Sequence, residues 1–197
     1  MSEKKKHISY FQSIRDRDPA ARSWLHILLC YPGVRAMINF RIAHFIYCKL
    51  HLHLLAEYIM YRVRCKYNVD IHPAATIGKR LFMDHAASIV IGETTIIGDD
   101  CTLYQCVTLG GNGKQKNKRH PTLGNNVLVG SGAKILGNVV IGDNVKVGAN
   151  TVVLHDVETD KTIVGVKGHV VERINGDDVI IHDIDPLIDD MGLDQIK

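Results

Sequence analysis

The sequence predicts a left-handed parallel β-helix built from hexapeptide (six-residue) repeats, with an N-terminal α-helical cap and a C-terminal tail. Three observations predict it. Aliphatic residues recur at every sixth position from Ile71 onward, glycine often follows them, and the residues before Val69 have helical spacing instead. With 197 residues, of which 46% are hydrophobic and 23% charged, the chain can bury a core, and global disorder is excluded.

The cap is predicted to span residues 1–68. Asp18-Pro19 has the form of a helix start, because aspartate caps helices and proline is tolerated at the first helical position. Apolar residues run from there to Cys30, and Tyr31-Pro32-Gly33 then breaks the pattern. A second helix is predicted from Val34 to about Leu50, and a weaker third from about Leu54 to Lys66. The apolar positions that support the second helix are Met37, Ile38, Ile42, Phe45 and Ile46.

The β-helix is predicted to span residues 69–171 as thirteen six-residue units, or about four triangular coils. In each unit the aliphatic residue should point into the bore, with a small or β-branched residue packed beside it. Two extra residues, Ile89-Val90, interrupt the repeat, and residues 110–122 are predicted to leave the helix as a loop excursion. The aliphatic positions are Ile71, Ile77, Met83, Ile91, Ile97, Leu103, Leu109, Leu123, Val129, Ile135, Ile141, Val147 and Val153. The small positions are Ala75, Ala87, Thr95, Val107, Val127, Ala133, Val139, Val145 and Thr151.

Charge is distributed unevenly, although the net charge is only +3. From Glu172 onward the chain has eight acidic residues and only two basic ones, Arg173 and Lys197, and the sequence no longer follows the six-residue period. Residues 172–197 are therefore predicted to be an acidic tail, of which residues 172–190 fold back against the coils or the cap. A second, basic cluster has no interleaved aromatic residues and so does not indicate nucleic-acid binding. That cluster comprises Lys114, Lys116, Lys118 and Arg119.

No membrane-spanning segment or secretory signal is expected. The apolar run from Trp24 to Tyr31 is interrupted by His26 and is too short to cross a bilayer. The five cysteines form no Cys-x-x-Cys pair, and their odd number argues against a closed disulfide framework. We therefore expect a cytoplasmic protein with reduced thiols and with neither a nucleic-acid nor a membrane partner.

Longer motifs lie between about residues 15 and 170. They are Asp18-Pro19-Ala20-Ala21-Arg22, Tyr31-Pro32-Gly33, Arg41-Ile42-Ala43-His44, Asp70-Ile71-His72-Pro73-Ala74-Ala75, Met83-Asp84-His85-Ala86, Ile91-Gly92-Glu93-Thr94, Val107-Thr108-Leu109-Gly110-Gly111-Asn112-Gly113-Lys114 and Lys118-Arg119-His120-Pro121. Together they resemble the serine O-acetyltransferase family of hexapeptide-repeat acyltransferases. The resemblance implies transfer of acetyl from acetyl-CoA to the hydroxyl of L-serine, which yields O-acetyl-L-serine and CoA as the first step of cysteine biosynthesis from serine.

The residues also support a catalytic base. An aliphatic hydroxyl is a poor nucleophile at neutral pH and needs a positioned general base, most often histidine. His85 follows Asp84, and Asp70 lies fifteen residues earlier, so we expect neighbouring coils to bring the Asp70 carboxylate against the imidazole. By resemblance, His85 is the base and Asp70 orients it. A structural histidine at a coil corner is the alternative.

The resemblance also implies how the acceptor is bound. Serine presents an ammonium and a carboxylate, so its site needs charges of both signs. The residues that match the family on the ammonium side are Asp18 and Asp84, and those on the carboxylate side are Arg119 and His120. A pure helix cap is the alternative for Asp18, and a solvated basic loop is the alternative for Arg119.

Acetyl-CoA, the co-substrate, is expected along the later coils, and no metal is expected. By resemblance, Gly111, Ser131 and Ala149 let the cofactor approach, and Lys146 meets a phosphate. Ser131 and Ala149 are eighteen residues apart, one coil, and should therefore stack on one edge. Two stretches depart from the family pattern: Ala87-Ser88 stands where a Thr-Gly pair is usual, and Gly165-Val166-Lys167-Gly168 replaces Gly-Val-Pro-Ala.

Two other enzyme classes stay open. One is a hexapeptide acetyltransferase that acts on another hydroxyl acceptor, such as homoserine or a sugar, although a sugar has no carboxylate for Arg119 and His120 to hold. The other is a metal-dependent lyase in which three histidines from a β-helix trimer bind zinc, for which His72, His85 and His120 are available.

Two expectations concern protein partners. We expect a homotrimer with active sites between subunits, and the sequence leaves open whether trimers pair into hexamers. In the family, an acidic C-terminus that ends in isoleucine can insert into O-acetylserine sulfhydrylase. Here Ile196 is followed by Lys197, so we expect docking to that enzyme to be weak or absent.

Overall fold

The computed structural model describes residues 9–113 and 116–165, and the backbone of residues 170–174 and 177–182. The chain divides into two compact units, residues 1–165 and 166–197. Among its described residues, the first unit contains four helices followed by fourteen short strands. None of the helices described is long and apolar enough to cross a membrane.

The cap helices are α1 (Tyr10–Arg17), α2 (Trp24–Cys30), α3 (Pro32–Lys49) and α4 (His53–Tyr67). The three predicted helical stretches are confirmed as α2, α3 and α4, but the helix start at Asp18-Pro19 is wrong. Asp18 instead ends α1, with its N–H donated to the Ile14 carbonyl at 2.8 Å. Its carboxylate accepts the Ala20 N–H at 2.8 Å, which is the local turn that aspartate also favours. α2 begins after Ser23, whose hydroxyl caps it.

Of the five apolar positions that predict the α3 helix, only Met37 and the partly buried Ile46 pack against the core. Phe40 is fully buried and Met37 is 5% exposed, and both belong to the main core with residues of the coils. Ile38, Ile42 and Phe45 lie on the other side of the helix and are 44%, 52% and 56% exposed. The helix therefore carries a second apolar stripe that the coils do not cover.

Fourteen short strands form three parallel sheets whose strands follow one another in turn around the bore, which confirms the β-helix. The strands are β1 (Val69–Ile71), β2 (Thr76–Ile77), β3 (Phe82–Met83), β4 (Ile89–Ile91), β5 (Ile96–Ile97), β6 (Thr102–Leu103), β7 (Thr108–Gly110), β8 (Thr122–Leu123), β9 (Leu128–Val129), β10 (Lys134–Leu136), β11 (Val140–Ile141), β12 (Lys146–Val147), β13 (Val152–Val153) and β14 (Thr162–Ile163). The sheets have the orders β1-β4-β7-β10-β13, β2-β5-β8-β11 and β3-β6-β9-β12-β14.

The bore is filled as the six-residue repeat predicts. Every one of the predicted aliphatic positions is buried, with at most 5% of its surface exposed. Among the small positions Ala87 is the exception: it is exposed, and Ala86 is buried instead, because the extra residues of this coil change the local frame. Leu81 and Cys101 occupy the same kind of position, are fully buried, and were not predicted.

Strand register shows that the coils differ in length. Ile135 pairs with Val153, which is the eighteen-residue coil of the ideal repeat. Ile71 pairs with Ile91, so the first coil has twenty residues and contains the two predicted extra positions. Leu109 pairs with Ile135, and this longer coil contains the excursion, which leaves after β7 and returns at β8.

The second unit contains one antiparallel hairpin, formed by β15 (Val170–Ile174) and β16 (Asp177–His182). The predicted domain limits at 68/69 and 171/172 stay predictions, and the second of them falls inside β15. Residues 183–197 lie outside the described residues, and so does the predicted sulfhydrylase-docking end at Ile196 and Lys197.

Candidate active site

The predicted catalytic and acceptor residues line two separate cavities in the unit formed by residues 1–165. The first, about 320 Å³, lies where the end of α1 and the α2–α3 junction meet the end of β3, and we name it the base cavity. The second, about 480 Å³, lies between α4 and the β1–β4 edge, and we name it the arginine cavity. The base cavity is lined in part by Asp18, Tyr31, Asp84 and His85. The arginine cavity is lined in part by Arg64, Asp70, Glu93, Arg119 and His120.

His85 occupies an open, sharply turned corner after β3. Its side chain is 73% exposed, and its Nε2 lies 4.0 Å from Asp84 Oδ1. The same carboxylate oxygen accepts the backbone N–H of His85 at 2.8 Å and so anchors the turn. His85, Ala86 and Ser88 all have left-handed φ values, of 53°, 61° and 57°. Because its side chain is exposed, His85 can accept a proton from a substrate that enters from solvent. This is the first requirement of general-base catalysis.

Asp18 faces His85 across the base cavity and is held by two donors. The Tyr31 hydroxyl donates to its Oδ2 at 2.5 Å, while Ala20 occupies Oδ1. Burial of the Tyr31 hydroxyl and this hydrogen bond raise the pKa of Tyr31 well above its ordinary value. Burial, together with the charges of Asp84 and Asp18, also raises the pKa of Tyr104. The cavity is thus lined by two carboxylates, those of Asp18 and Asp84, which suits a cationic group.

Asp70 does not lie beside His85 within one chain. Its Oδ2 pairs with Arg64 Nη1 at 3.2 Å in the arginine cavity. Fifteen residues do not complete a coil: Asp70 lies on β1 and pairs with Val90 of the next coil, whereas His85 follows β3, which belongs to a different sheet. Within the described residues, no hydrogen bond or ion pair joins Asp70 to His85.

Arg119 and His120 return from the excursion into the arginine cavity. Arg119 donates from Nη2 to Glu93 Oε2 and from Nη1 to the Lys116 carbonyl at 3.2 Å, so it is anchored and is not a freely solvated loop residue. His120 is only 8% exposed, and burial, reinforced by the nearby charge of Arg119, lowers its pKa. A Cβ at Gly92 would collide with the His120 ring, so this imidazole position requires glycine there.

The proposed cofactor residues divide between two corners. Ser131 and Ala149 are stacked as predicted, because Val129 pairs with Val147 and the Asn150 N–H donates to the Ser131 carbonyl at 2.8 Å. Lys146 lies on β12 with its side chain exposed. Gly111, by contrast, lies beside the arginine cavity, where a Cβ added to it would be 3.4 Å from His120 Nε2.

Three residues were missed by sequence reasoning as site residues: Tyr31, which lines the base cavity, and Thr94 and Lys118, which contact the backbone of the Arg119–His120 segment. The ammonium of Lys118 donates to the carbonyls of Thr94 and His120. All three stand inside motifs that carried the family resemblance, and that position was their only signal.

The histidines considered for zinc do not converge within the chain. His72 and His120 line the arginine cavity, whereas His85 lines the base cavity. Among the residues described, no three histidine, cysteine or acidic side chains are grouped so that they could hold a metal ion.

The six-residue coils are those of the hexapeptide transferases: the model of the bacterial transferase hexapeptide family (six repeats) matches residues 120–155. Within that class, the chain belongs to the serine acetyltransferase family. It is 48% identical over 167 residues to a serine acetyltransferase of Helicobacter pylori, a match that covers 84% of this chain and 97% of the relative. It is 52% identical over 163 residues to a serine acetyltransferase of Synechococcus elongatus, with 83% and 66% covered.

Solved structures show the same fold. A serine acetyltransferase of Brucella abortus in complex with coenzyme A superposes with a TM-score of 0.78 at 40% identity and covers 80% of this chain. A Neisseria gonorrhoeae serine acetyltransferase in complex with serine has a TM-score of 0.75 at 40% identity and covers 79%. This chain spans 63% and 64% of those two proteins, and about two thirds of the Synechococcus relative.

Proposed function

We propose that this protein is an acetyl-CoA-dependent serine O-acetyltransferase, which converts L-serine and acetyl-CoA to O-acetyl-L-serine and CoA. The observation that carries the proposal is the division of charge between the two cavities. One holds an exposed histidine with two carboxylates, and the other holds an anchored guanidinium with a buried imidazole. An amino acid with a hydroxyl side chain needs all of these groups: a base, an anionic site for its ammonium and donors for its carboxylate.

Each cavity holds only half of that set, so we propose that the active site forms between two copies of the chain. The base cavity of one copy would face the arginine cavity of the next, which also brings Asp70 of that copy to His85. Three such contacts close a cyclic homotrimer. Exposed valines on the intervening sheet face, Val90 and Val152, supply apolar surface for the contact. Whether such trimers pair further is a separate question.

In this arrangement His85 removes the proton of the serine hydroxyl as the oxygen attacks the thioester carbon. The Asp70 carboxylate holds the imidazolium that forms. When the carbon–sulfur bond breaks, His85 returns the proton to the departing sulfur, so that O-acetylserine leaves together with CoA in its thiol form. Asp18 and Asp84 hold the ammonium, while Arg119 and His120 hold the carboxylate.

The cofactor is proposed to lie along the edge formed by Ser131 and Ala149, with Lys146 near a phosphate and Gly111 contributed at the subunit boundary. The relative solved with coenzyme A supports acetyl-CoA as the acetyl donor. We propose a cytoplasmic enzyme of cysteine biosynthesis, which agrees with five unpaired cysteines.

The test measures CoA release by the purified full chain from acetyl-CoA with L-serine, homoserine or a sugar as acceptor. We expect release with L-serine and little with the others. A clearly higher rate with homoserine or a sugar would establish the alternative acceptor class. His85→Ala should lose about 10²–10⁴-fold in turnover with an unchanged circular dichroism spectrum, and unchanged turnover in that variant would make His85 merely structural.

A further inference from the structure

Thr94 lies at the centre of the contacts that hold Arg119 and His120. Its Oγ1 accepts the backbone N–H of Arg119 at 3.0 Å and that of His120 at 3.1 Å. The same hydroxyl is 2.9 Å from His120 Nδ1, and the Thr94 N–H donates to that nitrogen at 3.2 Å. Lys118 closes the assembly by donating to the carbonyls of Thr94 and His120, both at 2.6 Å.

These contacts determine which nitrogen of His120 carries the proton. A backbone N–H can only donate, so Nδ1 of His120 must accept the bond from the Thr94 N–H. The Thr94 oxygen already accepts two N–H bonds, which leaves its own hydrogen to point at Nδ1 as a second donor. With Nδ1 unprotonated, the neutral ring carries its hydrogen on Nε2.

Burial favours the neutral form of the His120 ring, and the position of the ring places the Nε2 hydrogen next to the arginine cavity. His120 is 8% exposed, and its pKa is lowered by that burial. The Nε2 edge of the ring lies over Gly92, which lines the arginine cavity, and beside the position of Gly111. An N–H at this nitrogen is a neutral donor beside the Arg119 guanidinium.

We propose that Thr94 is a positioning residue that fixes His120 as the Nε2–H tautomer and thereby supplies the second donor for the carboxylate of the acceptor. The part that concerns the acceptor rests on the proposed function, whereas the part that concerns the tautomer does not. Thr94 touches no reacting atom in this arrangement and acts through His120.

The chain offers a matched control in the next residue. Thr95 is a buried threonine next to the half-buried Thr94, and its hydroxyl has no hydrogen-bond partner within the described part of the chain. Thr94→Val and Thr95→Val therefore make the same chemical change one position apart, but only the first removes contacts to His120. Thr94→Ser keeps the hydroxyl and should restore wild-type behaviour.

The experiment records long-range proton–nitrogen NMR correlations of ¹⁵N-histidine-labelled full-length protein without substrate, with His120 assigned by comparison with His120→Gln. We expect the Nε2–H pattern in the wild type, in Thr94→Ser and in Thr95→Val. Thr94→Val keeps the backbone N–H that donates to Nδ1 but loses the hydroxyl donor, so its His120 should keep the Nε2–H tautomer with a changed Nδ1 chemical shift that reports one hydrogen bond fewer. In parallel, Thr94→Val should raise KM for serine about tenfold, the loss of one neutral hydrogen bond, and leave KM for acetyl-CoA unchanged.

Two results would overturn the inference: an Nδ1–H tautomer in the wild type, or a Thr94→Val protein whose His120 signals and serine KM match those of Thr95→Val. The wild-type spectrum decides the tautomer even if Thr94→Val does not fold. A protein with the Nε2–H tautomer but without turnover of serine would contradict the proposed function and leave the tautomer assignment standing.

Discussion

Single residues of the cap shape the base cavity through hydrogen bonds that the sequence does not show. Asp18 was predicted to start a helix, but it ends α1, and its carboxylate is then held by Tyr31. The Tyr31 ring is fixed in turn by an edge contact with His26, with centroids 5.5 Å apart, and by a tilted contact with Phe82 at 6.4 Å. The position of a charge is therefore set here by a neutral hydroxyl thirteen residues away.

Tyr31→Phe should raise KM for serine by about tenfold and leave KM for acetyl-CoA unchanged, because one hydrogen bond that orients Asp18 is lost. Steady-state kinetics with each substrate varied in turn checks this. Tyr10→Phe is the matched control: its hydroxyl also makes one bond in the cap, to the Leu81 carbonyl at 3.1 Å, but not to Asp18. In an Asp18→Asn background, Tyr31→Phe should add little, and a full additive loss would show that Tyr31 acts independently.

The stability of the protein should fall at acidic pH through His120. Its folded pKa is depressed below the ordinary value of 6.5, chiefly by burial. The unfolded chain therefore binds the proton more readily, so this contribution to stability is present above about pH 6.5 and is lost as pH falls through the folded pKa. Melting temperatures measured between pH 8 and pH 5 should fall less steeply for His120→Gln than for the wild type. His85→Gln, at an exposed histidine, should follow the wild type, and parallel curves for all three would contradict the assignment.

At the scale of elements, the periodicity of the sequence predicted the features that repeat in every coil. It did not predict the features that depend on how one element packs against another. The six-residue pattern located the bore because each coil buries the same position. It misjudged Asp70 because fifteen residues do not complete a coil, so that Asp70 on β1 and His85 after β3 lie at different sheets of the β-helix. Helical spacing located α3 but could not decide which of two apolar stripes faces the coils. α1 was not predicted at all, because most of its side chains are polar.

The half-buried guanidinium of Arg17 ties the α1 helix to the coils. Arg17 donates to the carbonyls of Arg80 at 2.7 Å and of Cys101 at 2.9 Å, to the Thr102 hydroxyl at 3.1 Å, and lies 5.4 Å from the Phe82 ring centre. Burial lowers the pKa of Arg17, yet an arginine remains charged at neutral pH, so its donors stay available.

Arg17→Met should lower the free energy of unfolding by about 3 kcal/mol, because several buried acceptors lose their donor at once. Urea denaturation followed by circular dichroism gives this value. Arg15→Met is the control on the same helix, since Arg15 is exposed, and its change should stay within about 0.5 kcal/mol. Equal effects of the two substitutions would mean that the buried contacts do not stabilise the fold.

At the scale of the whole molecule, the site residues predicted by resemblance fall into two groups that one chain does not bring together. Asp18, Asp84 and His85 lie in one cavity, and Asp70 lies in the other with Arg119 and His120. No property of a single chain's sequence shows which residues meet across a boundary between copies. Family motifs predict which residues belong to the site, and the structure shows that these residues line two separate cavities.

Mixed oligomers test whether the two halves come from different copies. His85→Ala lacks the base, and Arg119→Ala lacks the carboxylate donor, so each pure protein should be nearly inactive. If the two are unfolded together, refolded at equal amounts and assembled at random, about one quarter of the sites combine an intact His85 from one copy with an intact Arg119 from another. Activity should then recover to about one quarter of the wild type. The double variant His85→Ala/Arg119→Ala, refolded with wild type, controls for refolding yield, because it leaves the same fraction of intact sites. If each chain built its own complete site, the mixture of single variants would stay as inactive as its parts, while the control mixture would keep half of its activity.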